Sequence, residues 1–155
     1  MHTVHAVALV VRRPGDPARL LTVMRPEDDD DLPGVWGLPA TSLRPGEEEE
    51  RAARRVGETK LGGGLRLGRR LSAGSQQRTA YLLRMTLYDA ALAADPALPA
   101  PGRGVGGGTR YSAYRWAHPE ALLPGAEQGS LCCRLLLGLH QQVDFPRDAH
   151  TTPVL

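Results

Sequence analysis

The sequence predicts an α/β domain, a mixed β-sheet covered by helices. Three observations carry that prediction. Extended apolar or alternating runs lie on both sides of one strong mid-chain helix signal. A second apolar stripe at helical spacing stands near the C-terminus. The order strands, helix, strands, helix is that of a sheet that buries its faces under helices. At 155 residues the chain is long enough for one domain with a real core.

Taken in order, Thr3–Arg13 is β-branched and apolar and stops at the turn residues of "PGDPA", so it reads as a buried strand. Arg19–Arg25 follows at hairpin distance, which predicts an antiparallel neighbour. "PEDDDDLPG" is a solvated loop, because four consecutive aspartates repel one another in any regular element. The run Asp28–Asp31 also lacks the alternating ligand spacing of a calcium loop. "VWGLPATSL" is short and extended. "PGEEEERAARRVGETKLGGG" is the strongest helix: a turn precedes it, glutamates sit at its start, bases follow and glycines end it. Gly57 inside it costs about 0.5–1 kcal/mol relative to alanine, so that face packs closely or the helix frays. Two longer strands follow, in "LRLGRRLSAG" and "QRTAYLLRMTLYDAAL". Asp95–Thr109 reads as linker, "RYSAYRWA" as a strand and "HPEALL" as a short helix. "GSLCCRLLLGLHQQV" reads as an amphipathic helix with Leu131, Leu135 and Leu139 in one stripe. The expected domain spans 1–143, with 144–155 a loose tail.

A formal charge of +2 is too small to argue for nucleic acid. Its distribution says more. Glu27, Asp28–Asp31 and Glu47–Glu50 face one base, Arg44, whereas from Arg51 to Tyr88 the only acid is Glu58. Such a chain neutralises itself on folding or builds a basic concavity for phosphate. The adjacent Cys132 and Cys133 point about 100° apart on a helix and make a poor disulfide. That usage, with neither a signal peptide nor a membrane-length run, places the chain in the cytoplasm.

"WGLPATSLRPGE" leading into "RAARRVGETKLG" resembles the Nudix hydrolase box, G-x5-E-x7-R-E-U-x-E-E-x-G-U, and the resemblance covers Thr3 to Val143. Counted from Thr41, Glu47, Arg55 and Gly62 fall in register. The resemblance implies a Nudix-like α/β/α sandwich, with a mixed sheet, one central Nudix-type helix and a C-terminal helix. It also implies hydrolysis of a diphosphate linked to a second moiety, with Mg²⁺ or Mn²⁺ held by the box glutamates. Those three glutamates fall here on Val56, Thr59 and Lys60, and Ala40-Thr41 stands where a loop glycine pair is usual. Valine and threonine offer a hard cation no charge, and lysine offers the wrong sign. Glu58 cannot replace them, being about 200° around the helix from Val56.

The expectation is therefore a Nudix-fold protein without the ordinary metal chemistry, used to bind a ligand or partner. Glu47 and Arg55 form a charge-assisted brace between loop and helix. Lys60, the sole lysine, is either solvated at the helix end or holds a phosphate or other anion, and less readily serves as a base or nucleophile. Substrate-binding candidates are Lys60, Arg55, Thr59 and Trp36, the last by stacking. Catalytic candidates are Lys60 and Glu47. No metal site or cofactor is expected. The alternative is a divergent hydrolase of a nucleotide-like diphosphate, with metal ligands relocated to Glu47–Glu50 or the aspartate run, or with Lys60 supporting metal-free chemistry. Trp116 is assigned to the core, and His118 to capping a short helix. Asp89 and Glu120 have no supporting spacing. A homodimer through the leucine stripe or an edge strand stays open.

Overall fold

The fold is seen in a computed structural model that describes residues 2–26, 32–99, 102–103 and 109–142. Its centre is β1 (His2–Arg13), apolar almost without interruption because both its faces are covered. Along it Ala6, Ala8 and Val10 enter one core layer and Val7, Leu9 and Val11 the other, as the period of two requires. β2 (Asp16–Met24) returns antiparallel to β1 through a hairpin, as expected from its spacing.

The short strands β3 (Trp36–Gly37) and β4 (Ala40–Ser42) come from the "VWGLPATSL" stretch; β3 pairs with β2 and β4 with β1. After the helix α1 (Glu49–Lys60), β5 (Leu65–Gln77) and β6 (Tyr81–Leu92) form a long antiparallel pair. β6 lies parallel to β1 in a register that runs from His2 opposite Tyr81 to Val11 opposite Ala90. This makes the sheet mixed. β7 (Gly102–Arg103) and β8 (Thr109–Arg110) pair with each other inside the stretch read as linker. β9 (Ala113–Ala117) closes on β2.

α1 covers one face of the sheet, with Ala52, Ala53, Val56 and Leu61 packed on Val7, Leu9, Val11 and Tyr88. A 3-10 turn (Pro119–Leu122), α2 (Leu123–Glu127) and α3 (Leu131–Leu136) cover the other, through Leu122, Ala126, Leu131 and Leu135. The result is the expected layered sandwich. No helix among the described residues is long and apolar enough to cross a membrane.

Besides the β7–β8 pair in the stretch read as linker, three details depart from the sequence reading. The C-terminal helix is only six residues long, because Gly138 takes a positive φ of 71° just beyond it. Leu131 and Leu135 are buried on the sheet, while Leu139 leaves the stripe and is 47% exposed. His118 occupies the N-cap position of the 3-10 turn, but its side chain makes no capping bond. The aspartate run Asp28–Asp31 and the tail 144–155 lie outside the described residues.

Candidate functional site

The box residues gather where β4 and its following loop meet α1. Glu47 precedes the helix and turns its carboxylate to Arg55, two turns along. Arg55 Nε donates to Glu47 Oε2 at 3.0 Å and Arg55 Nη2 to Oε1 at 2.8 Å, while the Arg44 amide donates to Oε1 at 2.9 Å. Arg55 Nη2 also reaches the Ser42 carbonyl at 2.9 Å. The hydrogen bond from Arg55 holds the Glu47 carboxyl below its ordinary value, against a smaller upward push from burial. A bidentate pair of this kind fixes shape. Arg55 joins Ser42 on β4 directly to the helix and Glu47 ties in the Arg44 amide, so both partners are engaged in architecture.

Gly62, at the end of the box, has φ 86°, and a Cβ there would lie 2.6 Å from the Ala97 carbonyl oxygen. Only glycine fits. Gly57 is explained by close packing: a Cβ would stand 2.5 Å from Leu65 Cβ, and the helix continues past it to Lys60.

The three positions that the resemblance gives to metal ligands have separate fates. Val56 is fully buried in the apolar layer between α1 and the sheet. Thr59 donates its hydroxyl at 2.7 Å to the Arg55 carbonyl one turn back in its own helix. Lys60 is 6% exposed and donates from Nζ to the Ala40 carbonyl at 2.8 Å, with Nζ 5.3 Å from the centre of the Tyr111 ring. An apolar side chain, a spent hydroxyl and a positive charge do not suit Mg²⁺ or Mn²⁺. Among the described residues no group of three or more His, Cys, Asp and Glu side chains is placed to hold a metal ion.

Trp36 has different partners. The Arg115 guanidinium lies over its ring, 4.2 Å from the centroid, so one face already carries a side chain of the protein. Its carbonyl lies 3.9 Å from the Cys133 thiol. Trp116, assigned to the core, is half-buried against the α1 layer and donates its indole N–H to Asp95 at 3.3 Å. Cys132 and Cys133 are free and buried.

Sequence reasoning named Glu49 only among the relocated ligands Glu47–Glu50 and missed its buried role. It is 1% exposed and tied to three strands. Tyr88 donates to its Oε1 at 2.8 Å and Thr86 to its Oε2 at 3.0 Å; His5 Nε2 lies 2.7 Å from Oε2, and Arg70 Nε lies 3.6 Å from Oε1. Burial pushes the Glu49 carboxyl up, but the hydrogen bonds from His5 and Tyr88, with the Arg70 charge, outweigh it and leave the group below its ordinary value. A signal was present in the chain: Glu49, Ala52, Ala53 and Val56 share the inward helical face.

The same arrangement of sheet and helices occurs in solved structures. A MutT protein from Methanosarcina mazei Go1 superposes with a TM-score of 0.64 and 18% identity over 79% of this chain and 82% of that one. A MutT NUDIX hydrolase from Burkholderia pseudomallei gives 0.60 and 21%, over 84% and 100%. The C-terminal domain of mouse MUTYH, solved in complex with human PCNA, gives 0.57 and 22%, over 90% and 94%. The chain has the Nudix fold. No family model matches the sequence, and neither does any curated protein. At these identities the likeness carries the Nudix scaffold and leaves the activity to be argued from the site.

Proposed function

We propose that this Nudix-fold chain is a binding domain for a phosphate-bearing or other anionic ligand, and that it has no ordinary Mg²⁺-dependent diphosphate hydrolysis. One observation carries the reading. The box ends in the ammonium of Lys60, bonded to Ala40, where the resemblance calls for a carboxylate. A second metal-ligand position is an apolar core residue, Val56. Without the cation that neutralises phosphate and activates water, the scaffold keeps its shape and loses that source of rate acceleration. Attraction of an anion then falls to side chains, and Arg51 and Arg54 stand exposed on α1.

The test uses the full chain in two assays. Nucleoside diphosphate sugars, dinucleotides, oxidised nucleotides and prenyl diphosphates are incubated with and without Mg²⁺ or Mn²⁺. Calorimetry then measures binding of pyrophosphate and nucleoside diphosphates in EDTA. The expected result is no turnover, with binding that needs no metal and weakens as salt is raised. Metal-dependent turnover that disappears when Glu48 and Glu50 are changed to glutamine, with the buried Glu47 and Glu49 left in place to keep the fold, would establish instead the divergent hydrolase with relocated ligands.

A further inference from the structure

Lys60 is the only lysine among 19 basic Lys and Arg residues, and its side chain turns inward from the last turn of α1. An ammonium removed from water is costly unless it is paired or hydrogen-bonded. Here it meets the Ala40 carbonyl at 2.8 Å and the face of Tyr111. Tyr111 works on the same residue, accepting from the Ala40 amide at 2.8 Å and donating to the Ala40 carbonyl at 3.1 Å. Ala40 is the first residue of β4, and the chain beside it is stitched to β1 by Leu9 to Pro39 and Leu43 to His5, each at 2.8 Å.

We infer that Lys60 is a tethered cation that holds the Ala40 carbonyl, and so fixes the start of β4 against the end of α1 without any metal ion. This goes beyond the binding reading, since it concerns how β4 is held against α1 and not what the chain binds. The residue type fits the task. A compact ammonium can concentrate its charge on one carbonyl, whereas a guanidinium presents a wide planar fork of donors that asks for two acceptors. Lys60 therefore acts as a positioning residue through Ala40. The brace of Glu47 and Arg55 secures the other end of β4, at Ser42, and the loop that follows it, at Arg44.

Because there is one lysine, a ¹⁵N-labelled full chain has one side-chain ammonium resonance, and its assignment is unambiguous. In the wild-type protein its protons are expected to exchange with water at least ~10-fold more slowly than those of free lysine, as a buried bonded donor should. Lys60→Met is expected to speed amide exchange across Ala40–Leu43 by roughly 10-fold or more, while the β5–β6 amides stay unchanged. An ammonium that exchanges as fast as free lysine overturns the inference. So does a folded Lys60→Met protein with unaltered protection of Ala40–Leu43. If that variant fails to fold, the wild-type ammonium measurement decides alone. Neither measurement involves a ligand, so failure here is distinguishable from failure of the anion-binding reading.

Discussion

At Gly57 two opposing effects act on one residue. Alanine is the better helix former by about 1 kcal/mol in a helix interior, which by itself would favour Gly57→Ala. The added methyl, however, would stand 2.5 Å from Leu65 Cβ, where β5 crosses the helix. Overpacking of that kind costs about 1–3 kcal/mol and here requires the backbone of β5 to shift. The steric cost offsets or exceeds the gain, and urea denaturation is expected to show Gly57→Ala less stable than wild type by up to about 2 kcal/mol. A stabilised variant would mean that α1 and β5 are less closely apposed. Val56→Glu follows the same logic with a charge. It restores the family residue but sets a carboxylate among Val7, Leu9, Ala52 and Tyr88. That variant is expected to lose about 3 kcal/mol or more, or to raise the carboxyl pKa sharply. Carboxylates cannot simply be put back into this box. The packing of Val56 and the contact of Lys60 have both closed around their replacements.

Along α1 the two buried charged ends repeat this theme. Glu49 and Lys60 are eleven residues apart, close to three full turns, so both point inward on one face. The acid stands in the first turn and the base in the last, each at the favourable end of the helix dipole. Glu49 gives the helix its acid-sensitive anchor. Its folded-state pKa is depressed, so the stability it contributes is fully present above the unfolded value, ~4.3, and is lost as pH falls through the lower folded value. Glu47 carries the same sign. Glu49→Gln keeps the shape but removes the charge facing His5, Tyr88 and Arg70. It is expected to cost about 2–3 kcal/mol at neutral pH, and the gap to wild type should close as the pH is lowered below about 4. Equal differences at pH 7 and pH 3 would show that the carboxylate charge contributes nothing. The strands other than β7 and β8 were legible in the sequence, as was the Glu47–Arg55 brace, because each follows from local period or fixed spacing; β7 and β8 stand in a Pro/Gly-rich stretch that has no such period. The partners of Glu49 were not legible. Thr86 and Tyr88 come from a strand far along the chain, and only the parallel register of β6 on β1 sets them beside His5. For Lys60 the sequence left a solvated end or an anion site, while the contact made is to a backbone carbonyl, which no residue type reveals. The length of α3 was misjudged because Gly138 inside an apolar stripe acts as a stop.

Over the whole molecule the folded core and the box chemistry separate cleanly. The two apolar layers, the hairpins and the helix brace are built from side-chain and backbone contacts, and at the helix end the Lys60 ammonium is bonded to β4. A ligand that binds only the folded chain stabilises it by mass action. A site with a dissociation constant one hundredth of the metal concentration would add about 2.7 kcal/mol. For a domain of this size each 1 kcal/mol raises Tm by about 2–4 °C, so such a site would announce itself as a shift of about 5–10 °C. The observed chemistry predicts otherwise: Val56, Thr59 and Lys60 supply no anionic oxygen, and Lys60 repels a dication. Millimolar Mg²⁺ or Mn²⁺ is therefore expected to move Tm by less than about 1 °C relative to EDTA at the same ionic strength. Screening of surface charge alone accounts for changes of that order. A shift of several degrees that persists at constant ionic strength would show a real metal site. Its loss in a Glu48→Gln, Glu50→Gln variant, which keeps the buried Glu47 and Glu49, would place that site at the start of α1. Its survival there would direct attention to acids elsewhere on the chain, and the metal-free binding reading would fall in either case.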